Sequence, residues 1–159
     1  MRPYLDKSAP EVWKAISAVS ATVKQYASGS GLSLQESEFI KLRASQLNAC
    51  AYCLDVHSRE SRQAEIPQQK IDLLPAWRES ALYTEREKAV LAVAEAATRM
   101  PLSEESKADL AGARAVLGDE TFAAAELVAI TINAFNRVSI LSEHPVRPRG
   151  VDSEATVLS

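Results

Sequence analysis

Apolar residues recur at spacings of three and four along most of this 159-residue chain, in segments divided by capping motifs. Ser33 and Glu36 form an S-x-x-E capping box, and Thr84 and Glu87 form a second one. Such boxes mark the first turn of a helix, and the apolar spacing that follows them is that of one helix face. No run alternates apolar and polar residues as a half-buried strand does. The sequence therefore predicts an all-α fold of about six to eight helices.

Residues that start or stop helices divide the chain into its predicted elements. A first helix begins at Pro10 and ends near Gly29, and the first capping box opens a second that runs to Leu47. Asn48 then serves as a stop and as the N-cap of a third helix, over residues 49–64. Further helices are predicted over residues 68–74, from the second capping box to Pro101, from Ser103 to Gly118, and from Asp119 to Leu141.

The last predicted helix is apolar on nearly all sides, which places it in the centre of the fold or in a subunit interface. We therefore expect a homo-oligomer. Asn133, Asn136 and Arg137 are polar positions within this helix, and we expect them to make buried hydrogen bonds or subunit contacts. Trp77 and Phe135 are expected in the core or in the interface.

The length of the chain favours a single domain, which we predict over residues 1–143. Residues 144–159 contain two prolines, Pro145 and Pro148, and show no periodicity. We interpret them as an extended C-terminal tail in which His144 has no role.

Charge and hydropathy limit the partners that the chain is expected to have. The formal net charge is −3, and no basic excess calls for a nucleic acid or an anionic membrane. The N-terminal residues are not followed by an apolar targeting segment, and no uninterrupted apolar run approaches the ~18 residues of a membrane span. We expect a soluble, cytoplasmic protein that binds neither nucleic acid nor membrane.

The two cysteines of the chain, Cys50 and Cys53, lie three residues apart, and His57 follows four residues after the second. On a helix these spacings bring all three side chains to one face. Backbone N–H groups of the first helical turn favour a thiolate, and His57 is close enough to Cys53 to exchange a proton with it. Two cysteines are also too few for the disulfide framework of a small secreted protein.

A carboxylate is expected beside this imidazole. Glu38 lies ten positions before Asn48, and His57 lies nine positions after it. If the two helices fold back on each other at Asn48, Glu38 reaches His57 across the hairpin. The carboxylate would then orient the imidazole and raise its basicity, which suits thiol redox chemistry.

Three interpretations of the cysteine pair remain open at this point: a redox pair, inert buried thiols, and a zinc site. Zinc would use Cys50, Cys53, His57 and Glu38 as its four ligands. No second cysteine or histidine knuckle accompanies them, since the other histidine, His144, lies in the predicted tail. We rank the redox pair first, buried thiols second and zinc third, and we expect neither a metal nor an organic cofactor.

A family resemblance adds to this interpretation. It is carried by the pattern E-x(11)-C-x-x-C-x(3)-H, with the positions Glu38, Leu42, Ser45, Asn48, Cys50, Tyr52, Cys53 and His57. The pattern resembles the signature of the alkylhydroperoxidase D-like proteins of the carboxymuconolactone decarboxylase superfamily. Segments at residues 74–79, 83–87 and 132–137 are also similar, so the resemblance covers roughly residues 35–141.

The resemblance implies a compact all-helical domain that commonly assembles as trimers or hexamers, with a dimer as a further option. By position, Cys53 matches the cysteine that attacks a peroxide and Cys50 matches its resolving partner. His57 and Glu38 match the proton relay. Tyr52 stands where the best-known branch has a histidine, and we place it near the site together with Ser45 and Asn48.

The implied activity is that of a hydroperoxidase or disulfide oxidoreductase in antioxidant defence. Its partners would be a hydroperoxide substrate and a thiol reductant: a lipoyl adaptor, a thioredoxin-like protein or a small thiol. Two alternatives stay open. One is a non-enzymatic redox-sensing or structural oligomer, and the other is a carboxymuconolactone decarboxylase-type enzyme that does not rely on the cysteine pair.

Overall fold

The computed structural model describes residues 2–149, and this part of the chain forms helices and no strand. The all-α prediction is confirmed. Eight α-helices and one 3-10 helix follow one another: α1 (Leu5–Ser8), α2 (Pro10–Gly29), α3 (Leu34–Leu47), α4 (Ala51–Gln63), α5 (Gln68–Asp72), a 3-10 helix (Leu74–Glu79), α6 (Glu85–Thr98), α7 (Glu104–Leu117) and α8 (Asp119–Leu141).

Both predicted capping boxes form. The backbone N–H of Glu36 donates to Ser33 Oγ at 3.0 Å, and the N–H of Ser33 donates back to the Glu36 carboxylate at 2.9 Å. Thr84 and Glu87 make the same pair of bonds at the start of α6. Each cap satisfies N–H groups that the helix itself cannot, which stabilises it by about 1 kcal/mol.

Helix boundaries differ from the predictions where the backbone leaves the helical region. The helix predicted over residues 49–64 begins two residues later, because Ala49 has a φ of 51° and Cys50 is extended. The segment predicted as 68–74 is divided into α5 and the 3-10 helix, with Pro75 in the first turn of the latter. The single turn α1 was not predicted, since four residues are too few for a periodic pattern.

The core lies between α3, α6 and α8. Its largest fully buried apolar side chains are Phe39, Ile40, Leu74, Val90, Leu91 and Val93. Alanines fill α6 and the buried face of α8, which lets these helices approach closely. Burial of each large apolar side chain contributes about 1.5–3 kcal/mol.

Helix α8 packs one face on α2, α3 and α6. It also exposes apolar side chains, of which Ile130, Leu141 and Ile140 are the most exposed. Its mean hydropathy of 1.3 and its length would also suit a membrane span. One such helix is weak evidence for a membrane, because the core helix of a soluble protein meets the same criterion.

Two polar clusters lie inside the helical packing. In the first, the Asn48 amide donates to Asn133 and Asn136 at 2.9 and 2.8 Å, and Asn136 donates to Ser45. Arg137 donates to the carbonyl oxygens of Asn133. The prediction of buried hydrogen bonds is confirmed for Asn133 and Asn136. Arg137 is exposed, and its bonds to Asn133 are only partly buried.

The second polar cluster is centred on Glu95 of α6. Arg43 donates to this carboxylate at 2.7 and 2.9 Å, Arg78 at 3.0 Å, and Trp77 through its indole N–H at 3.0 Å. Arg99 adds a longer bond of 3.3 Å. Trp77 is buried in the core, as predicted, and its N–H is satisfied by this carboxylate.

The two ends of the described chain meet. The backbone N–H of Leu5 donates to Ser142 Oγ at 3.0 Å, and the N–H of His144 donates to Ser139 O at 3.1 Å. The expectation that His144 is a tail residue with no role is therefore wrong, because its ring nitrogen Nε2 also lies 3.1 Å from Asp6 Oδ1 of α1. Residues 145–149 have no regular secondary structure, and the rest of the tail predicted over residues 144–159 lies outside the described residues.

Candidate redox site

A tight reversal between α3 and α4 positions the site. The backbone N–H of Cys50 donates to Ser45 O at 3.1 Å, and that of Ala49 donates to Gln46 O at 3.1 Å. The left-handed conformation of Ala49 turns the chain at this point. Helix α4 then folds back along α3, as the hairpin argument expected.

The two cysteines form a disulfide at the N-terminus of α4, with their Cα atoms 5.3 Å apart. Cys50 is itself the N-cap of α4, and its Sγ accepts the backbone N–H of Cys53 at 3.3 Å. The predicted N-cap, Asn48, is instead the C-cap of α3, and its side chain is engaged by α8. The exposed fraction is 1% for Cys50 and 4% for Cys53.

Two carboxylates converge on His57. Its Nδ1 lies 3.2 Å from Glu38 Oε2 and 3.0 Å from Glu60 Oε2. Ionised carboxylates only accept hydrogen bonds, so Nδ1 carries a proton and Nε2 is the nitrogen left for proton exchange. The hairpin therefore brings Glu38 and His57 together, and adds a partner that the sequence analysis did not name.

Burial and hydrogen bonding act in opposite directions on this imidazole. Burial opposes the charged form, but the hydrogen bonds to Glu38 and Glu60 outweigh it, and the pKa of His57 is raised above its ordinary value. The hydrogen bond from His57 in turn lowers the pKa of the Glu60 carboxyl, against the opposing effect of burial.

Lys41 binds the other oxygen of Glu38. Its Nζ lies 2.8 Å from Glu38 Oε1, one turn along α3. The side chain of Glu38 is only 3% exposed, so Lys41 and His57 take the place of water at its two oxygens. This carboxylate is held in position from both sides.

A cavity of about 770 Å³ opens beside these groups, between α2, α3, α4 and α8. Its polar lining includes Glu38, Lys41, Cys53, His57 and Glu60, and its apolar lining includes Trp13, Val23, Leu32, Val128, Ile132 and Phe135. Cys53 lines the cavity, whereas Cys50 is not among the lining residues of the described chain. Of the two cysteines, Cys53 is the one that a molecule in the cavity would contact.

Of the three residues predicted to lie near the site, Tyr52 lines the cavity, and Ser45 and Asn48 do not. Tyr52 lines the cavity and is 41% exposed. Ser45 is buried, where its hydroxyl donates to Lys41 O at 2.7 Å and accepts from Asn136. Asn48 also bonds to α8. Ser45 and Asn48 therefore join α3 to α8 rather than facing the cavity.

Three groups at this site were missed by sequence reasoning: Lys41, Glu60 and His144. Lys41 and Glu60 lie three residues after Glu38 and His57 respectively, a spacing that puts them on the same helix faces. Their positions could have been found from that spacing. His144 lines the cavity from the far end of the chain, which no local pattern indicates.

A zinc site would need Cys50, Cys53, His57 and Glu38 as its four ligands, and the structure does not bring them together in that role. The sulfurs of Cys50 and Cys53 are bonded to each other, so neither is a thiolate in this state. Glu38, His57 and Glu60 do place potential ligand atoms within 4.8 Å of one another. Lys41 binds the other oxygen of Glu38, Oε1, so this carboxylate already has a positively charged partner.

The pattern of the carboxymuconolactone decarboxylase family matches residues 10–96, which include the hairpin and both cysteines. The uncharacterized protein YdfG of Bacillus subtilis strain 168 is 32% identical over 132 residues, which are 83% of this chain and 87% of that protein. A crystal structure of an Agrobacterium tumefaciens protein of unknown function, for which a role as the antioxidant defence protein AhpD has been suggested, matches with a TM-score of 0.80. Its sequence identity is 32%, over 93% of this chain and 99% of that one. With its C-x-x-C pair and its helical fold, this chain belongs to the carboxymuconolactone decarboxylase family, among the alkylhydroperoxidase D-like proteins.

Proposed function

We propose that the protein is a thiol-dependent hydroperoxidase or disulfide oxidoreductase that acts in antioxidant defence. The observation that carries the proposal is the placement of one cysteine, Cys53, on the wall of a cavity, with its partner Cys50 buried behind it. A cysteine on the cavity wall suits a thiol that attacks, and a buried neighbour suits one that resolves. The suggested antioxidant role of the Agrobacterium relative supports the same function.

The reaction begins with the reduced pair. The Cys53 thiolate attacks the terminal oxygen of a hydroperoxide, the O–O bond breaks, and a sulfenic acid and an alcohol result. The Cys50 thiol then attacks that sulfur, water leaves, and the disulfide of the structure forms. A thiol reductant reopens it: a lipoyl adaptor, a thioredoxin-like protein or a small thiol.

His57 is the proposed base for Cys53. It lies one helical turn further along α4, and its Nδ1 is held by Glu38 and Glu60, which leaves Nε2 to exchange the proton of the thiol. Glu38 acts through His57 and is a positioning residue. Its burial and its ion pair with Lys41 keep the imidazole in one orientation.

Replacement of the two cysteines tests the proposal. Cys53→Ser should abolish peroxide consumption with every reductant in a panel, whereas Cys50→Ser should form the sulfenic acid once and then stop. Trapping with dimedone and mass spectrometry distinguishes the two variants. Turnover by Cys53→Ser at the wild-type rate would contradict the proposal.

Assembly is the second part of the proposal, and we expect a cytoplasmic homo-oligomer, a trimer or hexamer rather than a monomer. Val12, Val19 and Tyr26 form an exposed stripe with a seven-residue period on α2, and Ile130 is exposed on α8. Apolar surface of this kind is typical of an interface. Sedimentation analysis of the oxidised and reduced protein tests this point.

The same exposed stripe favours one other function, a redox-sensing oligomer that does not turn over peroxide. A change of subunit number on oxidation, together with negligible peroxide consumption, would favour that function over the peroxidase. An unchanged subunit number with rapid turnover would exclude it.

A further inference from the structure

A second carboxylate–imidazole pair borders the cavity that contains Cys53. His144 Nε2 lies 3.1 Å from Asp6 Oδ1, and both residues line the cavity. The two come from opposite ends of the chain, 138 positions apart. Nothing in the mechanism proposed above uses them.

The ring of His144 is fixed by its surroundings. It makes edge-on contacts with Tyr4 and Tyr52, at centroid distances of 5.1 and 5.3 Å. Its backbone N–H donates to Ser139 O, and Ser142, two residues before it, accepts the N–H of Leu5. The side chains of His144 and Asp6 remain 15% and 22% exposed, so protons from solvent can reach them.

Tyr52 joins this pair to the helix that carries Cys53. It precedes Cys53 on α4, its ring contacts that of His144, and both Tyr52 and Cys53 line the cavity. The cavity thus has imidazoles on two sets of elements: His57 on the α3–α4 hairpin, and His144 where the segment after α8 meets α1. A reaction that removes a proton from a thiol and delivers one to a leaving oxygen can use both.

We propose that His144, held by Asp6, is a second acid–base group of this site, and that it protonates the alkoxide released from an organic hydroperoxide. This inference rests on the proposed peroxidase function. The Cys53 thiolate forms a bond to the terminal oxygen of ROOH, and the electron pair of the O–O bond leaves on RO⁻. The imidazolium of His144 transfers its proton to RO⁻, giving ROH and a neutral imidazole, which solvent protonates again. Sulfur is oxidised to the sulfenic acid, and the peroxide is reduced to the alcohol.

The experiment compares two oxidants that differ in their leaving group. tert-Butyl hydroperoxide releases an alkoxide that needs a proton, whereas peracetic acid releases acetate, which is stable without one. The reduced full-length protein is mixed with each oxidant, and the rate of disulfide formation is measured in a single turnover. Because the protein starts in its reduced form, this measurement does not require the physiological reductant. For His144→Gln we expect a loss of about 10²-fold with tert-butyl hydroperoxide and an unchanged rate with peracetic acid.

Two further variants separate proton transfer from a structural role. Asp6→Asn should reduce the tert-butyl hydroperoxide rate in the same selective way, by a smaller factor. Ser142→Ala removes the bond to Leu5 that joins the same two segments, but Ser142 does not line the cavity. It should lower the melting temperature and leave the ratio of the two rates unchanged.

The outcomes are distinguishable. Equal losses with both oxidants in His144→Gln, no loss with either, or the same change of ratio in Ser142→Ala would overturn the role of His144. A wild-type protein whose Cys53 reacts with both oxidants no faster than a small thiol would overturn the peroxidase function itself, and the inference with it.

Discussion

Glu38 on α3 and Glu95 on α6 are both buried carboxylates, and each is the centre of a charged cluster. Glu95 is bound by side chains that keep their protons throughout the ordinary pH range: Arg43, Trp77, Arg78 and Arg99. Glu38 is bound by Lys41 and by His57, whose charge changes near neutral pH. The two clusters resemble each other in burial and differ in whether a proton can move.

That difference indicates what a buried carboxylate does. Around Glu95 burial opposes ionisation, but the bonds from Trp77, Arg43 and Arg78 outweigh it and hold the pKa of the carboxyl below its usual range. Such a cluster stays charged and joins α3, α6 and the 3-10 helix. Around Glu38 the imidazole can give and take a proton beside a cavity that Cys53 lines. Burial alone therefore does not distinguish the glutamate that we propose for the site from Glu95, and the identity of its partners does.

The largest expected effect is on stability, at the Glu95 cluster. Glu95→Gln should lower the free energy of unfolding by about 3–5 kcal/mol, because it leaves the buried guanidinium of Arg43 without its counter-charge. Urea denaturation of the oxidised protein measures this loss. The folded variant should still form its disulfide with peroxide at the wild-type rate. A rate loss as large as that of Glu38→Gln would contradict the distinction between the Glu95 and Glu38 clusters.

The matched substitution at the other cluster should affect the reaction instead. Glu38→Gln keeps the shape of the side chain but no longer holds His57 as a base, so we expect single-turnover oxidation of the thiols to slow by about 10²-fold. Its cost in stability should be smaller, about 1–2 kcal/mol, because Lys41 is partly exposed and can reach water. If Glu38→Gln keeps the wild-type oxidation rate, Glu38 is a structural residue, as Glu95 is.

Local patterns in the sequence predicted the helix caps and the α3–α4 hairpin. Ser33 and Thr84 were identified as caps from the sequence, because capping depends on residues within one turn. The approach of Glu38 to His57 followed from counting residues on either side of the turn. Both features could be predicted because the residues that form each of them lie within about twenty positions of one another in the sequence.

The features that were missed depend on contacts between distant segments or on backbone geometry. Asn48 was expected to cap α4, but its amide is taken by Asn133 and Asn136 of α8, and Cys50 caps the helix. His144 was placed in a tail, and its packing on Asp6 becomes visible only when the chain ends are in place. Short-range periodicity in the sequence predicts neither of these long-range contacts.

The two clusters should also respond to pH in opposite directions. The pKa of His57 is raised in the folded state, so its contribution to stability is complete below the unfolded-state pKa and is lost as pH rises through the folded-state pKa. The pKa of Glu95 is lowered, so its contribution is present above the unfolded-state pKa and is lost as pH falls through the folded-state pKa. We expect His57→Gln to cost most stability in mild acid, and Glu95→Gln to cost most at neutral pH.

Unfolding curves of the wild type and both variants, recorded at a series of pH values, measure these two dependences. The comparison needs only the difference in free energy between each variant and the wild type at each pH. Parallel pH dependences for the two variants would contradict the distinction between a cluster with an exchangeable proton and one without.

The smallest expected effect is at Glu60, the outer carboxylate on His57. Its side chain is 44% exposed, whereas that of Glu38 is 3% exposed, so water screens the charge of Glu60 far more. Glu60→Gln should therefore lower the pKa of His57 by less than Glu38→Gln does, and should cost about 0.5 kcal/mol of stability. NMR titration of the His57 ring protons measures the pKa, with His144→Gln used to assign the two histidines. A larger decrease in Glu60→Gln than in Glu38→Gln would mean that the exposed carboxylate, and not the buried one, sets the charge of the imidazole.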